Sequence, residues 1–304
     1  MTSAPHALLA GLVDYAGLFP PAGLPMADAV RLYGAYRASR EAWILGRFVV
    51  PVHRLHEFAA ARTANTDVAG PWPIAALVGQ HLGAEFAAVG RFNDAERARG
   101  VRCAGVVESC DVKVDDCSAV AHAAAATPPG VGLACEVGPD PMGWPPVLDA
   151  IRQAGAVAKL RTGGIVPAAI PSVELVATFI RACGAIGLRF KVTAGLHHAV
   201  RGVHHLTYET ASPSATMHGF LNVFVAAAMA GQQSPELESV LGETDPGAFR
   251  FDASGVWWRS HFVPAAALRA ARATLALSFG SCSFEEPVSD LRHLGLPLDA
   301  PAAH

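Results

Sequence analysis

Two lysines lie in apolar segments that end in glycine-containing turns, and these residues have the clearest potential for chemistry. Lys159 lies in AVAKLRTGG (156–164), and Lys191 lies in LRFKVTAGLHH (188–198). The chain has 23 Lys and Arg residues, of which only three are lysines, the third being Lys113 in the polar segment CDVKVDDC. Arginine keeps its charge when buried, whereas a desolvated lysine can lose its proton and act as a nucleophile. The pattern therefore favours amine chemistry at Lys159 and Lys191.

Apolar segments that alternate with helical patterns predict the elements that position these lysines. The predicted strands are 12–19, 43–51, 73–79, 101–109, 131–138, 156–163, 189–195 and 248–252. Helical patterns lie near 26–40, 53–64, 84–99, 116–126, 145–154, 172–186, 218–230 and 264–278. Because eight strands alternate with eight helices, the sequence predicts an α/β fold of the TIM (β/α)8 barrel type.

We expect one domain over 1–304, with an irregular insertion near 199–262 that carries an extra helix and a hairpin in FRFDASGVWWR. The segment 279–304 is expected to be a C-terminal tail packed on the barrel. Ser172, which follows a proline and is followed by Glu174, predicts a helix start. An open doubly wound sheet is the alternative architecture, but no dinucleotide-binding glycine fingerprint follows the first strand.

Alternation of side chains along the predicted strands places polar residues on one face. In a barrel the apolar face of each strand packs on the helices, so the polar face points inward, toward the C-terminal mouth where such barrels carry out chemistry. The residues that this pattern brings together are Asp14, Arg47, Glu108, Glu136, Lys159, Arg161 and Lys191. Charges that converge in a dry interior are costly unless they are paired or used.

This arrangement suits covalent amine catalysis. Lys191 and Arg161 are cationic neighbours that would favour the neutral amine of Lys159, which could then form a Schiff base with a small carbonyl compound. Glu108, Glu136 or Asp14 would transfer protons. The alternative for each of these charges is purely structural, namely that the buried cations neutralise inward-pointing carboxylates.

Three segments resemble the 2-deoxyribose-5-phosphate aldolase family of class I aldolases. LVDYAGLFPPA (12–22) is similar to the opening strand of that family, AKLRTGG (158–164) to its Schiff-base strand, and FKVTAGLHHAVR (190–201) to the strand that follows. The resemblance implies that Lys159 is the Schiff-base lysine, that Lys191 favours its neutral form and that Asp14 belongs to the proton relay. It also implies a lyase activity that needs no cofactor.

The chain departs from that family at two places. The family has a proton-transferring aspartate within its fourth strand, whereas VRCAGVV (101–107) has none, and Glu108 is the nearest replacement. The glycine pairs that bind phosphate in the family are reduced to Gly195, which is followed by His197 and His198. A carboxylate-bearing or unphosphorylated carbonyl substrate is therefore at least as well supported as a phosphorylated sugar.

Histidines near the predicted mouth support a competing hypothesis. Five of them lie close together in the sequence, at 197, 198, 204, 205 and 218, and His53 and His56 follow the second strand. With Glu108 and Glu136 they could bind a divalent metal in a hydrolase or isomerase. Otherwise the expected substrate-binding residues are Arg47, Arg161, His197, His198, Arg201 and His218.

The sequence leaves two further hypotheses open, one about Cys282 and one about the function of the barrel as a whole. Cys282 in GSCSFEEP is a candidate lid residue, but a nucleophile there needs a base that the sequence does not identify. A catalytically inactive barrel that serves as a binding module is the third function that the sequence allows.

Composition narrows the class of partner. The formal net charge of −3 and the lack of a basic run with interleaved aromatic residues argue against nucleic acid. No apolar run reaches the length of a membrane span, and MTSAPHALLAGLVDY lacks the basic residues that open a secretory signal. We therefore expect a cytoplasmic protein whose partner is a small carbonyl compound, and the sequence is compatible with a homo-oligomer.

Overall fold

A closed parallel barrel forms the centre of the molecule. The computed structural model describes residues 3–64, 70–232 and 234–298. Within these residues eight parallel strands close into the barrel, which confirms the predicted TIM-barrel fold. These strands are β1 (Val13–Tyr15), β2 (Leu45–Pro51), β3 (Trp72–Leu77), β4 (Gly105–Lys113), β5 (Gly132–Glu136), β6 (Val157–Arg161), β7 (Phe190–Thr193) and β13 (Ala276–Ser281).

Helices follow the strands and cover the outside of the barrel. They are α1 (Ala4–Leu9), α2 (Met26–Arg37), α3 (Leu55–Ala64), α4 (Leu82–Ala98), α5 (Cys117–Ala126), α6 (Trp144–Gln153), α7 (Val173–Ala185), α8 (Phe220–Ala230), α9 (Leu237–Gly242), α10 (Ala265–Thr274) and α11 (Glu285–His293). As the sequence predicted, Ser172 begins α7, because its side chain accepts a hydrogen bond from the backbone N–H of Leu175.

Aromatic side chains fill the layer between the barrel and its first helices. Tyr33 of α2 lies with its ring centroid 5.3 Å from that of Phe48 on β2 and 4.8 Å from that of Trp72 on β3. Phe58 of α3 packs on Phe48 from the other side, at 5.1 Å. All four side chains are buried, and the Tyr33 hydroxyl donates a hydrogen bond to the backbone carbonyl of Gly46. This cluster holds the helices on the apolar face of the strands, so the polar face points into the barrel.

The eighth barrel strand is not where the sequence placed it. The segment 248–252 contains β10 (Phe249–Phe251), which pairs antiparallel with β11 (Gly255–Trp258) and, through it, with β12 (His261–Pro264) in a separate sheet. The predicted hairpin in 249–259 is therefore present, but it lies outside the barrel. The barrel is closed by β13, which pairs with both β1 and β7.

The segment predicted as a C-terminal tail therefore begins inside the barrel. Residues 279–281 belong to β13, α11 follows, and residues 299–304 lie outside the described residues. The insertion also contains a second antiparallel hairpin, formed by β8 (Gly202–His205) and β9 (Ser214–Met217).

One segment in the described part of the chain, Pro167–Ala185, has the length and mean hydropathy of a membrane-spanning helix. It includes α7, which buries Phe179 against Phe190 of β7. Core helices of soluble proteins pass the same test, so this segment is weak evidence for a membrane span and is consistent with a soluble protein.

The position of the eighth strand predicts a difference between two Phe→Ala variants. Phe279 of β13 is fully buried and stacks on Phe220 of α8, whereas Phe251 of β10 is only half-buried. We expect Phe279→Ala to lower the free energy of unfolding by about 3–5 kcal/mol and Phe251→Ala to lower it clearly less. Urea denaturation of the two variants checks this, and an equal loss in both would contradict the observed barrel closure.

Candidate active site

A cavity of about 810 Å³ opens among the carboxyl ends of the barrel strands. Its floor is formed by charged side chains, and its lining includes Asp14, Asp111, Glu136, Lys159, Lys191 and Arg161. A pocket of this size, with apolar walls and a few converging polar groups, has the character of a small-molecule site. Its place at the C-terminal mouth is where catalysis in TIM barrels is found.

Strand register places the two lysines side by side. Lys159 of β6 is the direct partner of Lys191 on β7 and of Glu136 on β5. Both lysines are more than nine-tenths buried. The turns after β6 and β7 then touch each other, since a Cβ atom on Gly163 would lie 2.7 Å from the Cα of Gly195. The glycine that follows each lysine is therefore explained by the close approach of these two turns.

The buried charges form an alternating chain of carboxylates and ammonium groups. Asp111 Oδ2 lies 3.0 Å from Lys191 Nζ and 3.1 Å from Lys159 Nζ, so one carboxylate contacts both lysines. Lys159 Nζ also lies 3.0 Å from Glu136 Oε2, and Lys191 Nζ lies 3.3 Å from Asp14 Oδ2. Each buried cation therefore has two carboxylate partners, which compensates for the loss of its hydration.

The pKa values of the central groups follow from this pairing. Burial alone would raise the pKa of Asp111, but Lys191 and Lys159 outweigh it and lower the pKa from its ordinary 3.8 to about 2. Burial opposes the charge on Lys191, yet Asp111 and Asp14 hold its pKa above the ordinary value. Burial likewise disfavours ionised Glu136, but Lys159 and Arg161 hold its pKa below the usual range. At neutral pH, Asp111 and Glu136 are anions and Lys191 is a cation.

Asp111 is the residue that the sequence analysis missed. The fourth strand was predicted over 101–109, but β4 runs from Gly105 to Lys113 and so carries Asp111 into the barrel. Pairing between β3 and β4 shifts at Glu108, because Ile74 pairs with Val107 and Ala75 pairs with Ser109. The signal that could have revealed Asp111 is its position two residues before Lys113, in the same alternation as the end of the strand.

Glu108 and Arg47 do not join the central cluster as predicted. Glu108 is the extra residue at the shift in register, and its carboxylate accepts a hydrogen bond from Arg47 Nε at 3.0 Å, in a partly exposed pair. Neither residue lines the cavity at the mouth. Arg47 contributes through its backbone N–H, which donates to Asp14 Oδ1 at 2.9 Å.

Arg161 extends the cluster to the rim of the cavity. Its Nε lies 3.5 Å from Glu136 Oε1, and about half of its side chain remains exposed. Arg161 also lines the cavity, and a guanidinium in this position is suited to recognise an anionic group.

The histidines near the mouth do not all face the cavity. His197 lines the cavity, and its Nδ1 lies 2.9 Å from Glu286 Oε2 of α11. His198 Nδ1 instead lies 3.1 Å from Asp290 Oδ2, and its ring stacks on that of His204. His198 is not among the residues that line the cavity, so its predicted role in substrate binding stays a prediction.

His218 and Arg201 also lie outside the cavity lining. His218 Nε2 lies 2.8 Å from the backbone carbonyl of Pro171, and the backbone N–H of Arg201 donates to Asn222. Their predicted role in substrate binding therefore stays a prediction that the lining of this cavity does not support. Across residues 3–64, 70–232 and 234–298, no group of three or more His, Cys, Asp or Glu side chains has the arrangement of a metal site.

The central position of Asp111 predicts a large loss of stability in Asp111→Asn. Removing one partner of a buried ion pair leaves charge uncompensated and costs about 3–5 kcal/mol. As a matched control, Asp149→Asn breaks an exposed pair with Arg152 and should cost less than about 1 kcal/mol. Urea unfolding at neutral pH measures both, and equal losses would contradict the proposed importance of the cluster.

The same variant should change the response to acid. Because the pKa of Asp111 is lower in the folded chain than its ordinary 3.8, its ion pairs stabilise the fold fully above about pH 4 and are lost as the pH falls toward 2. We expect the wild-type free energy of unfolding to fall by about 2 kcal/mol more than that of Asp111→Asn across this interval. If the free energy of unfolding fell in parallel with pH in the wild type and in Asp111→Asn, the two lysines would not lower the pKa of Asp111.

The chain has been compared with protein-family models and with curated proteins. No family model matches it, and no curated protein matches it.

Proposed function

We propose that this chain is a lyase of the class I aldolase type, in which Lys159 forms a Schiff base with a small carbonyl compound. The observation that carries the proposal is a pair of adjacent buried lysines that share one carboxylate at the floor of an open cavity. The resemblance to the 2-deoxyribose-5-phosphate aldolase family supports the same chemistry. Under this proposal the protein works as a cytoplasmic enzyme and its lysine supplies the electron sink.

The two lysines have different surroundings, which supports different roles. Lys191 lies between Asp111 and Asp14, and these carboxylates keep it protonated. The ammonium group of Lys191 and the amine of Lys159 contact the same carboxylate oxygen, Asp111 Oδ2. Lys159 is the better candidate for the nucleophile because Glu136, one of its partners, lies near the rim and has Arg161 as a second cation.

Asp111 and Glu136 are suited to receive and return protons. Both contact Lys159 Nζ, so a proton that leaves the amine has an acceptor within hydrogen-bonding distance. Resting Asp111 is strongly acidic because two ammonium groups face it. When Lys159 gives up its proton, Asp111 loses one of these charges, and its pKa rises toward a value useful for proton transfer. Asp111 thus fills the role that the sequence analysis assigned to Glu108.

These groups account for the steps of carbon–carbon cleavage. Neutral Lys159 attacks the carbonyl carbon, water leaves, and a protonated imine forms. A carboxylate then removes the proton from the hydroxyl two carbons away, the carbon–carbon bond breaks, and its electron pair moves into the imine to give an enamine. Protonation of the enamine carbon and hydrolysis release the second product and restore the amine.

The cavity suits a small substrate with an anionic or hydroxylated end. Arg161 presents partly exposed donors at the rim, and Thr193 lines the wall beside the lysines. A substrate whose carbonyl carbon reaches Lys159 would place its far end near Arg161. This supports a carboxylate-bearing or hydroxylated carbonyl compound as the substrate class.

Reductive trapping tests the Schiff base. A panel of small aldehydes and ketones is added with borohydride, followed by intact mass measurement and peptide mapping. We expect at least one compound to add its own mass less one oxygen atom, at Lys159. Lys159→Arg should abolish the adduct and the cleavage activity, whereas Lys113→Arg, at the cavity rim, should retain the adduct.

Two results would contradict the proposal. An adduct confined to Lys191 would reverse the roles of the two lysines. Lack of any adduct, together with metal found by elemental analysis and activity lost to a chelator, would favour the metal-dependent hydrolase or isomerase.

A further inference from the structure

A second group of reactive side chains lies in the same cavity, on the wall formed by the last barrel strand. Cys282 follows directly after β13, and its side chain lines the cavity together with that of His197 from the loop after β7. Both residues are more than nine-tenths buried. The lysine chemistry described above uses neither of them.

In this group a cysteine thiol lies next to a histidine ring, which in turn contacts a carboxylate. Cys282 Sγ lies 3.9 Å from Nδ1 and 4.0 Å from Nε2 of His197, so the sulfur is nearly equidistant from both ring nitrogens. Glu286 Oε2 lies 2.9 Å from His197 Nδ1 and also accepts a hydrogen bond from the Tyr208 hydroxyl at 3.2 Å. Since the sulfur is not aligned with one nitrogen, the main effect of a protonated ring is to stabilise the charge of a thiolate.

We propose that Cys282 and His197 form a second nucleophilic centre, at which the Cys282 thiolate adds reversibly to the carbonyl carbon of an aldehyde bound in the cavity. Glu286 acts as a positioning residue that orients the imidazole and balances its charge. This centre is independent of the amine chemistry, because none of its steps involves Lys159.

The addition is balanced without any further reactant. In the thiolate–imidazolium form of the pair, the Cys282 thiolate forms a carbon–sulfur bond as the carbonyl π bond breaks. The π electrons move to the oxygen, which takes the proton from the imidazolium to give a neutral thiohemiacetal. The reverse steps release the aldehyde, so no oxidant and no leaving group are required.

The charge state of His197 supports this assignment. Burial opposes a charged imidazole, but the contacts with Cys282 and Glu286 outweigh it and raise the pKa of His197 to about 9. The core thiols Cys110 and Cys135 differ, because burial raises the pKa of each to about 12. Cys282 is thus placed beside an imidazolium, the kind of neighbour found next to reactive cysteines.

Alkylation by iodoacetamide, followed by peptide mapping, tests the activated thiol. The exposed Cys117 in the same chain serves as the internal reference. We expect Cys282 to react about tenfold faster than Cys117 in the native protein. His197→Gln should remove this advantage, and Glu286→Gln should reduce it, while the rate at Cys117 stays unchanged. His198→Gln, the matched control outside the cavity lining, should preserve the fast rate.

Two outcomes of the alkylation experiment would contradict the proposal. If Cys282 reacts no faster than Cys117, or if its fast rate survives in His197→Gln, the thiolate–imidazolium centre is refuted. Glu286→Asp, which keeps the carboxylate, should restore part of the rate lost in Glu286→Gln. An undiminished rate in Glu286→Gln would remove Glu286 from the proposal.

Carbonyl addition is tested in Lys159→Arg, which cannot form a Schiff base. We expect glycolaldehyde to slow the alkylation of Cys282 in this variant at least fivefold, to leave Cys117 unaffected, and to lose its effect on dialysis. Absence of this protection would overturn the addition to aldehydes. Because the variant lacks the reactive amine, this outcome is independent of whether Lys159 is trapped by borohydride in the wild type.

Discussion

The contact of one carboxylate, that of Asp111, with two ammonium groups determines how the interior of the barrel is organised. Lys159 and Lys191 are direct neighbours on adjacent strands, and two buried cations at this distance repel each other strongly unless an anion lies between them. Asp111 lies in that position, at 3.1 and 3.0 Å from the two Nζ atoms. Asp14 and Glu136 then balance the outer side of each lysine. The cavity above the cluster depends on this balance.

The same contacts connect stability with reactivity. An amine must lose its proton before it can act as a nucleophile, and Asp111 and Glu136 both contact Lys159 Nζ. The carboxylates that hold the proton are also its acceptors, so the resting cluster is the starting state of the proposed proton relay. Lys191 differs because its second partner, Asp14, is itself fixed by Ser278 and by the backbone of Arg47. The second partner of Lys159 is Glu136, which is held by Arg161 instead.

Much of the fold could be predicted from the sequence, because strands and helices differ in the spacing of their apolar residues. The two lysines and Glu136 were also predictable, since side-chain alternation and parallel pairing place them together. The eighth strand was missed because only Leu275 separates α10 from β13, with no glycine or proline to mark the boundary. Asp111 was missed because the shift in register at Glu108 and the length of β4 depend on pairing with β3 rather than on local residue types.

Side-chain partners that are distant in sequence were the least predictable part of the site. His197 and His198 are directed by Glu286 and Asp290, which lie 89 and 92 residues away on α11. A cluster of histidines in the sequence therefore suggested a shared ligand set, whereas the fold gives His197 and His198 different carboxylate partners. His197 could not be identified from the sequence as the partner of Cys282 for the same reason, because it precedes Cys282 by 85 residues.

The seam between β1 and β13 has a consequence for biosynthesis. Asp14 reaches Ser278, 264 residues further along, and Arg272 donates to the backbone carbonyls of Leu8 and Ala10 across the same seam. Almost the whole barrel must therefore leave the ribosome before β1 can pair with β13. Until then the nascent sheet keeps two unpaired edges and a hydrated, incompletely balanced interior, which exposes it to misassociation and favours the help of chaperones.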